Sequence, residues 1–277
     1  MLDRLQIFGK QFAACAALAL TLSAGAAPQA RAGDDPWPDI EKNVFAGRTV
    51  QEAGTRLEIF APDQAEDAAV VPVSVKIPPQ MVGKLRALTL IIDRNPAPVA
   101  ATFTFEDAFR EASNTGDRMI STRVRLDAFS RVRAVAETSD GELIMVSKFV
   151  IGAGGCSAPA SKDADKSLAE LGKTVVKVKE DASRPSWREA QIMIKHPNYT
   201  GMQMDPISRG YTPARFVNAI EVKSGDSVLF RMEGGISISE NPNLRFTYTT
   251  SPHTDLEFTA KDTDGTTFTG SSKPDPS

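Results

Sequence analysis

From residue 70 to residue 269 the chain repeatedly alternates apolar and polar residues, and a period of two fits only strands that bury one face. Ile120, Val124 and Leu126 fall on one face of the first clear run, and Val132, Ala134 and Ala136 on one face of the next. Thr138-Ser139-Asp140-Gly141 is a turn, with Leu143, Met145, Phe149 and Ile151 continuing beyond it, so these runs predict a hairpin. Earlier runs at 70–77 and 84–92 end at Pro78-Pro79 and Asn95-Pro96, where strands stop. The pattern resumes after residue 173. Val176 and Val178 alternate, as do Ile192 and Ile194. Ile220 and Val222 precede a Ser-Gly-Asp turn, and Val228, Phe230 and Met232 follow it. Leu244, Phe246 and Tyr248 form a further run, and Asp264-Gly265 closes a last hairpin between 256–260 and 266–269. Trp37, Ile40, Val44 and Phe45 are spaced instead like a short amphipathic helix ending at Gly47. The reading is all-β: two Ig-like β-sandwich domains in tandem, a short N-terminal helix, and a Gly-rich, partly helical linker.

The first 32 residues read as a signal peptide. Arg4 and Lys10 form a positive start, residues 12–22 a short apolar core, and Ala30-Arg31-Ala32 a cleavage site. The core is too short to span a bilayer, and no Arg-Arg pair precedes it, so the general secretory route and a periplasmic destination are expected. Cleavage removes Asp3, Arg4, Lys10 and Arg31 and moves the formal net charge from −3 to −5, which excludes the basic excess of a nucleic-acid binder. The expected organisation is a signal peptide at 1–32, a sandwich at 33–151, an arm and linker at 152–172, a second sandwich at 173–270, and a disordered tail at 271–277.

Cleavage also removes Cys15, leaving Cys156 as the single cysteine of the mature chain in an oxidising compartment. A lone thiol there is buried, paired with another molecule, or used as a thiol. It follows Gly152, Gly154 and Gly155 and is flanked by the small residues Ser157 and Ala158. Such a stretch reads as a mobile tether reaching about 20 Å from Val150, with nothing crowding the sulfur. No Lys or His adjoins the cysteine, so its activation would have to come from a partner.

Other constellations are weaker. Gly152-Ala153-Gly154-Gly155 lacks a phosphate-loop fingerprint and a βαβ setting. Asp262-Thr263-Asp264-Gly265 lacks the further ligands of a calcium loop and reads as a hairpin turn. Asn198-Tyr199-Thr200 matches a glycosylation acceptor. His196 and His253 show no pairing typical of a catalytic site and read as surface or loop residues, although His196, Met202 and Met204 could form a soft copper site. No metal or cofactor is otherwise expected.

Several short motifs resemble SoxY: Val71-Pro72-Val73-Ser74-Val75, Asp93-Arg94-Asn95-Pro96, residues 121–126 and 136–141, and Gly154-Gly155-Cys156. The second half resembles SoxZ, at Lys195-His196-Pro197, Thr200-Gly201, Pro213-Ala214, residues 239–244 and the closing Asp-Gly hairpin. The single-chain arrangement is similar to fused SoxYZ-like carriers associated with quinoprotein dehydrogenases. The resemblance implies Ig-like sandwiches and a periplasmic, non-enzymatic carrier that holds sulfur intermediates covalently on Cys156, with Gly154 and Gly155 as its swivel. Implied partners are periplasmic Sox-type enzymes or cytochromes, including a PQQ-dependent dehydrogenase system. Two departures stand out. The chain runs on past Ser157-Ala158-Pro159, and no glycine pair follows the cysteine. A non-carrier accessory that docks a dehydrogenase or cytochrome is the alternative reading.

Overall fold

The computed structural model describes residues 35–111, 116–159, 169–205, 208–251 and 253–272. The segment expected to be a signal peptide and most of the segment expected to be helical in the linker lie outside the described residues, and so do residues 273–277. Among the described residues no helix is long and apolar enough to cross a membrane.

Helix α1 (Trp37–Val44) leads into β1 (Val50–Glu52), β2 (Glu58–Phe60), β3 (Val71–Ile77), the one-turn helix α2 (Pro79–Val82), β4 (Leu85–Ile92) and β5 (Val99–Phe105). One-turn helix α3 (Asp107–Arg110), β6 (Arg118–Val124), β7 (Ser130–Thr138) and β8 (Leu143–Val150) complete the first half. The second half is β9 (Thr174–Glu180), β10 (Trp187–Ile194), β11 (Val217–Ser224), β12 (Ser227–Gly234), β13 (Asn243–Thr249), β14 (Leu256–Asp262) and β15 (Thr267–Ser272). The fold is all-β, as the alternation predicts. The predicted hairpins are β7–β8, β11–β12 and β14–β15, turning at Gly141, Gly225 and Gly265, each with positive φ. The last strand takes in Ser271 and Ser272, which the sequence reading assigned to the tail.

The two halves are joined more closely than a linker requires. Residues 36–277 form one compact unit. The strands make a nine-stranded sheet, in order β1-β8-β7-β4-β5-β12-β11-β14-β15, and a six-stranded sheet, β2-β3-β6-β13-β10-β9. The halves meet inside both sheets. Strand β5 pairs with β12, matching Phe105 with Phe230 and Phe103 with Met232. Strand β6 pairs with β13 at Ile120–Phe246 and Ser121–Arg245. Edge strands that would otherwise expose unpaired amides are thereby covered.

One core runs through the joint. Phe230 contacts Phe103, Phe105 and Phe109 at centroid distances of 6.1, 6.0 and 6.1 Å, and Phe246 at 4.9 Å. Arg118 is fully buried beside them, its charge tolerated because Nη2 donates to the Glu111 carbonyl and to Thr249 Oγ1 of the second half. A smaller cluster lies on the outer face of the nine-stranded sheet, where Ile40 and Phe45 of the N-terminal segment pack on Ile91, Val135, Leu143 and Met145. Here the sequence reading needs correction. Leu143 and Met145 face this cluster, Ile144 faces the main core, and Phe149 and Ile151 are exposed. Arg133 secures the helix from below. It forks onto Asp93 through Nε and Nη2, and its guanidinium lies 4.2 Å from the Trp37 ring centroid.

Candidate functional site

The Gly-rich arm departs from the end of β8 and is held along its length. The Ile151 amide donates to Asp63 O and its carbonyl accepts from Ala65. The Gly154 amide donates to Asp127 O (2.9 Å), and the Gly155 amide to Leu126 O (2.7 Å). A turn follows, closed by the Ala158 amide on Gly154 O. Arg125 Nη1 donates to Gly155 O (3.0 Å), and Thr200 Oγ1 of the second half donates to Cys156 O (2.7 Å). The arm's last residues are thus clamped between the halves.

This corrects the tether reading in two respects. Cys156 has no solvent exposure, so the sulfur is crowded and not free. Gly155 is glycine because of a close approach. A Cβ there would stand 2.0 Å from Ala68 O and 2.8 Å from Leu126 O, both backbone atoms that cannot rotate away. Gly154, by contrast, has φ +78° and open space around it, so its need for glycine is conformational. Gly152 packs against Ala65 and Ala68.

Burial pushes the Cys156 thiol up to about 11, helped by the negative charge of Asp127 and opposed by Arg125. At neutral pH the docked sulfur is therefore a thiol and a poor nucleophile. Arg125 is itself fully buried, and its Nε and Nη2 have no hydrogen-bond partner. Burial holds its guanidinium below its usual value, while Glu240, Cys156 and Asp67 act the other way. Nothing in the local sequence marks Arg125 as a neighbour of the cysteine, because the contact arises from the docking of the arm beside the end of β6. Asn95 braces the same region, its Nδ2 donating to Arg125 O and Ser237 Oγ, and its Oδ1 accepting from the Asp127 amide.

His196 lies in the loop after β10, as a loop role predicts, but it is buried there and not on the surface. Its Nδ1 accepts the Asn198 amide (3.0 Å), leaving the proton on Nε2, which points to Asp262 Oδ2 at 3.4 Å. Both ring nitrogens are engaged, so the proposed copper ligand has no free lone pair, and Met204 stands exposed. Asp262 is a structural carboxylate. Its Oδ1 accepts the Asp264 and Thr266 amides, and its Oδ2 accepts Arg215 Nε. That is the hairpin turn the sequence predicts. Asn198 is fully buried, with its amide on Ile238 O and Ser239 O, so the folded chain presents no glycan acceptor there. His253 lies exposed with positive φ.

Burial lowers the His196 pKa more than Asp262 raises it. The buried imidazole must gain a proton at a cost as pH falls, so its contribution is complete above about 6.5 and is lost in acid. Wild type is expected to lose more thermal stability between pH 7.5 and 5.5 than His196→Gln, a difference that parallel melting curves measure.

Family comparison agrees with this geometry. Residues 41–156 match the sulfur oxidation protein SoxY, a match ending at Cys156, and residues 176–273 match the sulphur oxidation protein SoxZ. The chain therefore belongs to the SoxY and SoxZ sulfur oxidation proteins. It carries both domains in one polypeptide and is a fused SoxYZ-like protein. No curated protein matches it. Among solved structures it is similar to the sulfur carrier protein SoxY from Chlorobium limicola f thiosulfatophilum, at 22% identity, covering 42% of this chain and 90% of that one, with a TM-score of 0.34. A beta-glycosidase from Bacteroides vulgatus aligns at 8% identity over 79% of this chain and 24% of its own, with a TM-score of 0.23. Neither superposition is close enough to carry an argument.

Proposed function

We propose that the chain is a periplasmic carrier that holds a sulfur-containing intermediate covalently on Cys156 and presents it to separate oxidoreductases. The observation that carries this reading is the position of the thiol. It is the last residue of the SoxY match, at the end of a backbone-held arm and outside any strand. A structural cysteine sits inside an apolar strand and needs no such arm. The docked form, with its protonated thiol, is the resting state. A partner that draws the arm out of its clamp exposes the sulfur and returns its acidity to the ordinary range, after which its thiolate attacks the S–S bond of a disulfide-level sulfur species, forming a new S–S bond at Cys156 and releasing the other sulfur as a thiolate. The same reading gives residues 1–32 as a cleaved export signal, and Sox-type enzymes, cytochromes or a PQQ-dependent dehydrogenase system as partners. Because the chain continues beyond residue 159, the arm is anchored at both ends and its sweep is short.

Mass spectrometry of native protein tests the proposal. Cys156 is expected to carry labile adducts that a reductant removes and that vanish in Cys156→Ser. Only unmodified thiol in an actively respiring host counts against a carrier.

One observation favours a second reading, an accessory that docks a dehydrogenase or cytochrome. Phe129, Phe149 and Ile151 are all exposed near the root of the arm, where a partner could bury them. Co-purification separates the two readings. A docking role survives Cys156→Ser, whereas carriage does not.

A further inference from the structure

The outer face of the six-stranded sheet carries a groove of about 260 Å³ at the joint between the halves. Pro72 and Ser74 of β3, Ser121 and Arg123 of β6, and Asn243 and Arg245 of β13 line it. The register explains how they meet. Ser74 pairs with Ser121, and Ser121 pairs with Arg245, so two hydroxyls and one guanidinium stand in a row across three strands. Pro72 pairs with Arg123 in the row beside it, and Asn243 stands two residues before Arg245 on the same face.

The charges in this groove are not satisfied from within the protein. Arg245 is exposed and forms no ion pair or side-chain hydrogen bond among the described residues. Arg123 uses Nη2 on the Asn241 carbonyl, but its Nε is buried and has no partner. Arg245 adds to the burial that lowers the Arg123 pKa, and Glu240 partly offsets both. Glu240 does not line the groove and forms no ion pair with either arginine among the described residues. No carboxylate lines it at all. Two like charges held across a strand pair destabilise each other unless an anion lies between them. The Ser74 and Ser121 hydroxyls make no protein hydrogen bond among the described residues and are free to donate.

We propose that this groove binds a doubly charged tetrahedral oxoanion of the sulfate type, gripped by Arg123 and Arg245 and oriented by Ser74 and Ser121. Guanidinium forks match the oxygen spacing of such anions, and hydroxyl donors complete the shell. The site needs both halves, since β3 and β6 come from the first and β13 from the second. It is also independent of the thiol, so it goes beyond the carrier reading and stands or falls without it.

Calorimetric titration of the full chain with sulfate, thiosulfate and phosphate, each at ionic strength fixed with chloride, tests this. The expected result is saturable binding of at least one of the three, weakened at least tenfold by Arg245→Gln. The order among the three identifies the source of the anion. Lys261→Gln removes an exposed positive charge on β14 of the other sheet and is expected to leave the affinity unchanged, as is Cys156→Ser. Arg245 is exposed, so its variant is expected to keep the wild-type melting temperature. Absence of saturable binding in all three arms overturns the proposal. So does equal weakening by Arg245→Gln and Lys261→Gln, which would mean bulk charge attraction. Loss of binding in Cys156→Ser overturns it too, by moving the anion to the thiol.

Discussion

Gly155→Ala is expected to raise the alkylation rate of Cys156 at pH 7 by on the order of 100-fold. The added methyl would meet Ala68 O at 2.0 Å and Leu126 O at 2.8 Å. Both are main-chain atoms tied into the fold, Ala68 O by the Leu126 amide and Leu126 O by the Gly155 amide itself. The cheapest relief is for the arm to leave. It then surrenders the Gly155–Leu126 and Arg125–Gly155 hydrogen bonds, and the thiol passes from burial to water. Two effects follow together: the sulfur becomes accessible, and its pKa falls from about 11 toward the ordinary thiol value. The sign of the pH dependence is fixed by the same burial. Docking is favoured while the thiol is protonated and weakens as pH climbs from the ordinary thiol range toward 11. The wild-type alkylation rate should therefore keep rising to about pH 11, whereas that of Gly155→Ala should level off two units or so lower. Two comparisons grade the effect. Gly154→Ala meets no atom within 4 Å and suffers only its left-handed φ, a strain of roughly 1–2 kcal/mol. Thr200→Val removes the bond to Cys156 O, worth about 1 kcal/mol, and should open the arm about fivefold. An unchanged alkylation rate in a folded Gly155→Ala protein would show that the clamp does not control the thiol.

The same arm shows where sequence reasoning stops. Three glycines before a cysteine are equally the signature of a flexible tether and of a segment threaded tightly past other backbone. Deciding between them requires Ala68 and Leu126, which lie far from residue 155 in sequence. The hairpins were legible because each is local: an alternating run, a turn residue with positive φ, and a second run. Strand β5 went unread. Four of its seven residues are buried, from Ala100 and Ala101 through Phe103 and Phe105, so its alternation is blurred. That blurring has a structural cause, since β5 is a central strand, flanked by β4 and by β12 of the other half. The missed strand is thus one of the two first-half strands that pair with the second half, β6 being the other. His196 illustrates a different limit. Its burial depends on Asp262, on the far side of the second half's sequence, and no local pattern announces that pair.

Because the halves share both sheets and one aromatic cluster, they should unfold together, and the chain's two tryptophans report on this separately. Trp37 lies in the first half, 4.2 Å from the Arg133 guanidinium, and Trp187 in the second, 4.0 Å from the Arg184 guanidinium. In Trp37→Phe and Trp187→Phe each remaining indole reads one half, while far-UV dichroism reads both. In each variant the fluorescence and dichroism transitions in urea should coincide, the mark of a single cooperative unit. Phe230→Ala probes what couples the halves. Phe230 is fully buried and touches Phe103, Phe105 and Phe109 of the first half and Phe246 of the second. Truncating a buried phenylalanine costs about 3–5 kcal/mol, a large share of a typical domain's stability, and should lower the Tm by about 10 °C. Tandem sandwiches that merely abut would respond differently. Their two tryptophans would report separate transitions already in the parent fold, and the loss of Phe230 would shift the Trp187 signal while leaving that of Trp37 in place. In a merged sandwich both signals move by the same amount, because pairing of β12 with β5 makes the first half's central strand an edge whenever the second half is lost. Fusing the two domains in one chain then keeps at hand the partner surface that completes each half and supplies Thr200 to the clamp on Cys156.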